Sequence, residues 1–393
     1  MSVLHHERAA VDVFAAARML TPRIVAARDE IERLRHVPAE IATALARAGL
    51  YQMYLPRSLG GAELTPGTAF EAIEELSKAD GSVGWCVLNA NLFALMAGYL
   101  APEAARRIVG DPPDLRMAGS LRPQGRAWAI DGGYRVTGRW NFASGVHNAN
   151  WLYCTSLIMD GEKPRMTQAG SPALRVMWAP AKSANILDTW SVVGLRGSGS
   201  HDFVLDDLFI PESDTCFFAD KPYEAGVLYR SRNLLTAMSA GFAANALGIA
   251  RGAIDALLAM ASQVASTQSE VLLRDRPAVQ ASVAEADAIV GAARSYMLES
   301  LTRAWTALSL DAADPATEIA RARLAVPHAM RESVRAVDLV FHAAGTHAIH
   351  RANPIERHFR DIHVAVQHVV AATVHYESAG KVLMGLRPSE PGW

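Results

Sequence analysis

The chain reads as an α+β protein in three consecutive regions: an N-terminal α-helical domain, a middle antiparallel β-domain and a C-terminal four-helix bundle. Three observations predict this. Apolar residues recur at spacings of three and four in the first region, short strand-like runs bounded by turn residues fill the second, and long Ala-rich stretches occupy the third. A chain of 393 residues exceeds one ordinary core, which holds about 100–200 residues. Domains over 1–115, 116–215 and 216–393 are therefore expected, the middle one barrel-like.

In the first region Ile24, Ala27, Ile31 and Leu34 mark one helical face. Pro38 suits the first turn of a helix ending near Gly49, and Leu55–Gly61 (LPRSLGG) reads as a loop. Val83–Leu100 is apolar and about as long as the shortest membrane span. Asn89 and Asn91 interrupt it and no basic flank orients it, so a buried helix of a soluble protein is expected. The second region carries runs at Arg126–Ile130, Tyr134–Thr137, Trp151–Ile158, Leu174–Trp178 and Phe203–Ile210. Turn signals such as Asp131-Gly132-Gly133 and Asp160-Gly161 separate them. The third predicts helices over Leu234–Ala261, Ala278–Leu308 and Pro315–Ala344, and a last one through Ile355–Leu386.

Lys+Arg 38 against Asp+Glu 40 gives a formal charge of -2, with no basic excess to neutralise a phosphate backbone. Nucleic acid is disfavoured as a partner. Cys86, Cys154 and Cys216 form no CxxC pair and fit a reducing compartment. Met1–Phe14 lacks the apolar core and cleavage site of a secretion signal, so a cytoplasmic location is expected.

No GxGxxG opens a helix after a strand, and GxxxxGK[ST], HExxH and GxSxG are all missing. Gly194–Ser200 (GLRGSGS) is glycine-rich without completing the dinucleotide spacing. Of 13 histidines, seven lie between His342 and His375. His347 and His350 could share a helical face. His358, His363 and His368 step by five, about 140° apart on a helix, and fan out rather than converge on a metal. No metal site is expected.

Four stretches then act together. They are Leu55–Gly61 with Glu75 and Asp80-Gly81-Ser82; Gly133–Gly145 (GYRVTGRWNFASG); Asp188–Pro211 (DTWSVVGLRGSGSHDFVLDDLFIP); and Arg360-Asp361. In this order the chain resembles the acyl-CoA dehydrogenase superfamily over nearly its whole length. Dehydrogenases of that family often carry a glutamate base about eight residues after the Arg-Asp pair; here the position is Val369, after Gln367 and His368. WNFASG, GLRGSGSHD and a late histidine instead look like the two-component flavin-dependent monooxygenases. That resemblance implies hydroxylation of an aromatic or polycyclic substrate through a flavin C4a-hydroperoxide. The hydroperoxide would form from O2 and reduced FMN or FAD, supplied by a separate flavin reductase in transient contact, and would need shelter from water.

The resemblance also implies residue roles. Ser144 falls where a hydroxyl bonds flavin N5; a plain turn serine before Gly145 is the alternative. Phe142, on the same strand face, matches an aromatic packed on the flavin, or is a core residue. Ser120, Trp190 and the Ser198–Ser200 turn match positions near flavin or substrate; ordinary strand and turn residues are the other reading. His368 is the candidate acid/base for a phenol, with His363 next and a surface histidine the alternative. Asp361 lies seven residues earlier on the same helical face, about 10 Å along the axis and too far to touch it. Asn91 stands where some relatives carry a substrate-facing histidine. Gln263–Gln280 lacks the family's Arg-x-x-Phe-Gly, which favours transiently bound reduced flavin over FAD held across subunits. The family also implies a homotetramer. An acyl-CoA dehydrogenase with a relocated base and a non-catalytic assembly protein are the rival readings.

Overall fold

The computed structural model describes residues 12–265, 270–310, 312 and 314–388. Its elements begin with helices α1 (Val13–Ala26), α2 (Arg28–Leu34), α3 (Ala39–Arg47), α4 (Pro66–Ala79), α5 (Gly81–Ala94) and α6 (Pro102–Val109). Strands follow: β1 (Met117–Ile130), β2 (Gly133–Trp140), β3 (Trp151–Asp160), β4 (Lys163–Pro164), β5 (Leu174–Pro180), β6 (Asn185–Leu187), β7 (Asp202–Pro211) and β8 (Thr215–Cys216). Then come α7 (Ser231–Ala261), α8 (Pro277–Ser309), α9 (Ala316–Ala344), α10 (Pro354–Ala365) and α11 (Val374–Leu383).

Helix α5 is apolar on every side and is accordingly buried on nearly every side, as a helix in the middle of a protein must be. It continues as a 3₁₀ segment, Leu95–Tyr99, and 94% of the stretch Gly81–Tyr99 is buried within the fold. Asp80 ends α4 and starts α5: its carboxylate accepts the amides of Ser82 and Val83 at 3.0 and 3.1 Å. Close packing follows from a missing side chain, because a Cβ on Gly84 would lie 1.9 Å from Ser77 Oγ on α4.

The strands form one sheet in the order β6-β7-β2-β1-β3-β5-β8, with β4 beside β3. Two expectations are corrected here. The sheet has edges at β6 and β8 and so is not closed like a barrel, and β1 pairs with β3 in parallel. The reason is a crossover. A tight turn at Asp131-Gly132 makes β2 antiparallel to β1, and residues 141–150 then carry the chain over the sheet's end to the far side of β1. The WNFASG segment, Trp140–Gly145, opens that crossover. The pair Asp206-Asp207 lies inside β7, where Asp207 has φ 46° beside a register shift against β2.

Helices α7, α8 and α9 pack as three arms of the bundle, with α7 also lying along α4. The fourth arm, expected as one helix through Leu386, is broken: α10 stops at Ala365, a 3₁₀ turn covers Val369–Ala371, and α11 begins at Val374. His368 is extended (φ -66°, ψ 144°) and its ring accepts the Val370 amide, which replaces the helical hydrogen bond. Helical spacing from Asp361 to His368 therefore does not apply.

Candidate active site

Hydroxyls and aromatic rings converge where α5, the sheet crossover and the bundle meet. Phe142 and Ser144 are not on a strand, since β2 ends at Trp140. They sit in a turn fixed by three amides: Ala143 donates to His201 O at 3.1 Å, Ser144 to Phe142 O at 2.9 Å, and Gly145 to Ser198 O at 2.8 Å. Phe142 takes φ 61°, a conformation that costs a bulky residue energy. Phe142 is 57% exposed, with the Arg122 guanidinium 5.8 Å from its ring and the Trp190 ring at 6.2 Å, edge-on.

Ser144 is buried and its hydroxyl has two partners. Trp85 Nε1–H, from α5, donates to Ser144 Oγ at 3.0 Å. Ser200 Oγ lies 2.8 Å from Ser144 Oγ and 2.8 Å from Ser198 Oγ. If Ser198 donates to Ser200 and Ser200 to Ser144, both acceptor positions on Ser144 Oγ are filled. Its own O–H is then free to donate outward.

On the other side of Trp85 stands His368. Their ring centroids are 5.6 Å apart and nearly perpendicular, while Phe242 of α7 stacks on the imidazole at 4.2 Å and meets Trp85 edge-on at 5.2 Å. Burial among these rings lowers the His368 pKa to about 4, so the ring is neutral. His363, the other histidine considered, is held elsewhere: its Nε2 is 3.0 Å from Asp338 Oδ1 on α9.

Other expected residues are fixed differently. Ser198 is buried behind Ser200. Ser120 lies at a bulge in β1, its Oγ taking the Arg122 amide at 3.3 Å. Trp190 is held through its amide on His201 Nδ1, its indole N–H on Leu195 O and its carbonyl under Arg35. Asn91 does not face the site. Its side chain accepts the Met53 and Tyr54 amides and donates to Leu50 O and Val87 O, a buried strut with every valence used. Asp361 is a clamp: its Oδ1 accepts the Leu195 amide at 2.6 Å, and a Cβ on Gly194 would meet Arg360 O at 2.2 Å. Burial, and then the nearby Asp80 carboxylate, push the Asp361 carboxyl up to about 7.

Trp85 and Phe242 escaped the sequence reading. Trp85 had one usable signal, its place one turn after the Asp80-Gly81-Ser82 cap; Phe242, amid alanines in α7, had none. A third cluster, His36, His147 and His201, has ring centroids 4.6 and 5.0 Å apart. Among the described residues no group of three His, Cys, Asp or Glu side chains is arranged to hold a metal ion.

Helical regions before and after a crossover-bearing sheet in the chain, with hydroxyls and rings where the three meet, define a protein of acyl-CoA dehydrogenase architecture. The profile of the acyl-CoA dehydrogenase N-terminal domain matches residues 7–108, and that of the C-terminal domain residues 240–373. Indole-3-acetate monooxygenase of Pseudomonas putida is 32% identical over 93% of this chain and 91% of its own length. The oxygenase component of an FADH(2)-dependent resorcinol hydroxylase from Rhizobium sp. is 31% identical, covering 91% and 90%. The structure of XiaF from Streptomyces sp., in complex with FADH2 and glycerol, superposes with a TM-score of 0.86 at 26% identity, covering 96% of both chains. The chain belongs to the acyl-CoA dehydrogenase superfamily, in its branch of oxygenase components of flavin-dependent monooxygenases. The dehydrogenase alternative is not favoured. The position of its glutamate is Val369, 67% exposed, and among the described residues no carboxylate bonds to Ser144 or His368.

Proposed function

We propose that this protein is the oxygenase component of a two-component monooxygenase that hydroxylates an aromatic or polycyclic substrate, using O2 and reduced FMN or FAD delivered by a separate reductase. The observation that carries the reading is one indole, Trp85, bridging the Ser144 hydroxyl and the His368 ring. Residues present suit a flavin. The exposed Phe142 ring beside Arg122 offers a face for a flat ring system, and Ser144, when Ser200 donates to it, keeps an O–H for a ring nitrogen or carbonyl. Trp190 closes the same side. Ser198 and Ser120 act from behind, orienting Ser200 and the Arg122 segment.

Bound reduced flavin supplies two electrons and activates O2. The chain's own residues do the rest: Phe242, Trp85 and the bundle exclude water, Ser144 holds a hydrogen bond at the cofactor, and His368 meets the substrate. Contact with the reductase is transient and the working form is a homotetramer. Exposed Leu383, the last residue of α11, and Met384 and Leu386 just beyond it support an assembly face. A cytoplasmic setting is supported by three unbridged thiols at Cys86, Cys154 and Cys216.

The test is to mix the protein with anaerobically reduced FMN or FAD and admit O2 in a stopped-flow instrument. The reading expects a transient absorbance distinct from oxidised flavin, longer-lived than without protein. Immediate appearance of oxidised flavin with both cofactors overturns it. Light scattering on the purified chain tests the tetramer.

A further inference from the structure

The hydrogen bonds around His368 fix more than its place. A neutral imidazole carries one N–H and one lone pair. The Val370 amide donates to Nδ1 at 3.4 Å, so Nδ1 holds the lone pair and the proton is on Nε2. Among the described residues nothing accepts from Nε2, and no carboxylate bonds to the ring to favour the other tautomer or an imidazolium. The ring lies flat on Phe242 and against Trp85, surfaces without a formal charge. Burial that holds its pKa near 4 acts in the same direction.

We infer that His368 meets the substrate as a hydrogen-bond donor through Nε2–H and not as a proton acceptor, and that the site takes a neutral electron-rich ring, an indole or arylamine, in preference to a phenol. A phenol becomes strongly nucleophilic when its hydroxyl is deprotonated, and Nε2 has no lone pair with which to take that proton. Accepting it would require the Nδ1–H tautomer, which breaks the Val370 bond, or a desolvated cation. An indole or arylamine needs no such step, because its nitrogen already feeds the ring. The reaction balances without a base from the protein: ArH, O2 and reduced flavin, carrying two electrons and two protons, give ArOH, H2O and oxidised flavin. One C–O bond forms, the O–O bond breaks and the displaced ring proton ends in water. Nε2–H then orients an acceptor on the substrate, such as a carbonyl or carboxylate oxygen.

This inference rests on the oxygenase reading, and its tests are separable from it. The first uses no turnover: ¹⁵N spectra of histidine-labelled protein near neutral pH, with His368 assigned by loss of its signals in His368→Asn. Nε2 protonated and Nδ1 bare is expected; Nδ1–H or an imidazolium overturns the inference whatever the enzyme does. The second compares His368→Gln, which keeps a donor near Nε2 and cannot act as a base, with His368→Glu, which keeps only an acceptor. In single turnovers with indole-3-acetate, Gln is expected to stay within about threefold of wild type and Glu to lose about tenfold or more, the scale of one hydrogen bond to a charged or polar partner. Gln failing like His368→Ala while Glu retains activity overturns it. Wild type that turns over a phenol such as resorcinol faster than indole-3-acetate or aniline overturns the substrate preference. Absence of the flavin–oxygen transient in wild type counts instead against the oxygenase reading.

Discussion

Trp85 Nε1–H donates 3.0 Å to the buried hydroxyl of Ser144, joining the central helix α5 to the crossover that leaves β2. The same indole meets the His368 ring from the bundle. One side chain thus registers all three regions of the chain against one another.

Replacing Trp85 by Phe keeps an aromatic ring but removes the donor and part of the filled volume. A lost buried hydrogen bond and a small cavity together predict about 2–3 kcal/mol of destabilisation, measured by urea denaturation. If the ring alone mattered, the loss would be within about 0.5 kcal/mol.

The three hydroxyls Ser198, Ser200 and Ser144 form one chain, so their effects should be graded. Ser144→Ala is expected to divert most consumed oxygen to hydrogen peroxide. Ser200→Ala should do the same more weakly, by about three- to tenfold in the ratio of product to peroxide, the worth of one hydrogen bond. The check is product and peroxide quantified from the same reaction. A Ser200→Ala variant as well coupled as wild type would remove the relay.

Asn91→Ala strands the buried Met53 and Tyr54 amides and the Leu50 carbonyl. A loss of at least about 3 kcal/mol is expected from their unmet desolvation. The variant that remains folded should bind substrate as wild type does. A selective rise in KM at unchanged stability would return Asn91 to the substrate site.

The Asp361 carboxyl titrates at about 7 in the fold against 3.8 in the unfolded chain. Its folded value is raised, so the stability associated with it is complete below about pH 4 and is lost as pH rises through 7. Asp361→Asn cannot ionise and can still accept the Leu195 amide. The difference in Tm between variant and wild type should therefore move in the variant's favour from pH 5 to pH 8. A difference that is flat with pH contradicts the raised value.

Much of the architecture was legible because it rests on local regularities. Ala-rich stretches of bundle length, an apolar α5 without a polar face, and turn dipeptides between short strands report burial directly. WNFASG, GLRGSGSHD and Arg360-Asp361 carried the family, since each meets a local demand: a left-handed turn at Phe142, a tight approach at Gly194, a clamp on Leu195. Errors arose where the demand was not local. Asn91 looks like any polar residue on a helix, and only the loop 50–54 folded against it makes it a strut.

The sequence by itself determined three regions, the valine where a dehydrogenase has its base, and the serine and histidine worth watching, because composition, spacing and motif are properties of the chain. Tertiary structure decided the rest. It broke the last helix at His368, set that ring's Nδ1 against the Val370 amide, and put Trp85 between the ring and Ser144. Tautomer and hydrogen-bond direction depend on which groups share a desolvated space, and residues 85, 144, 242 and 368 share one only when the chain is folded.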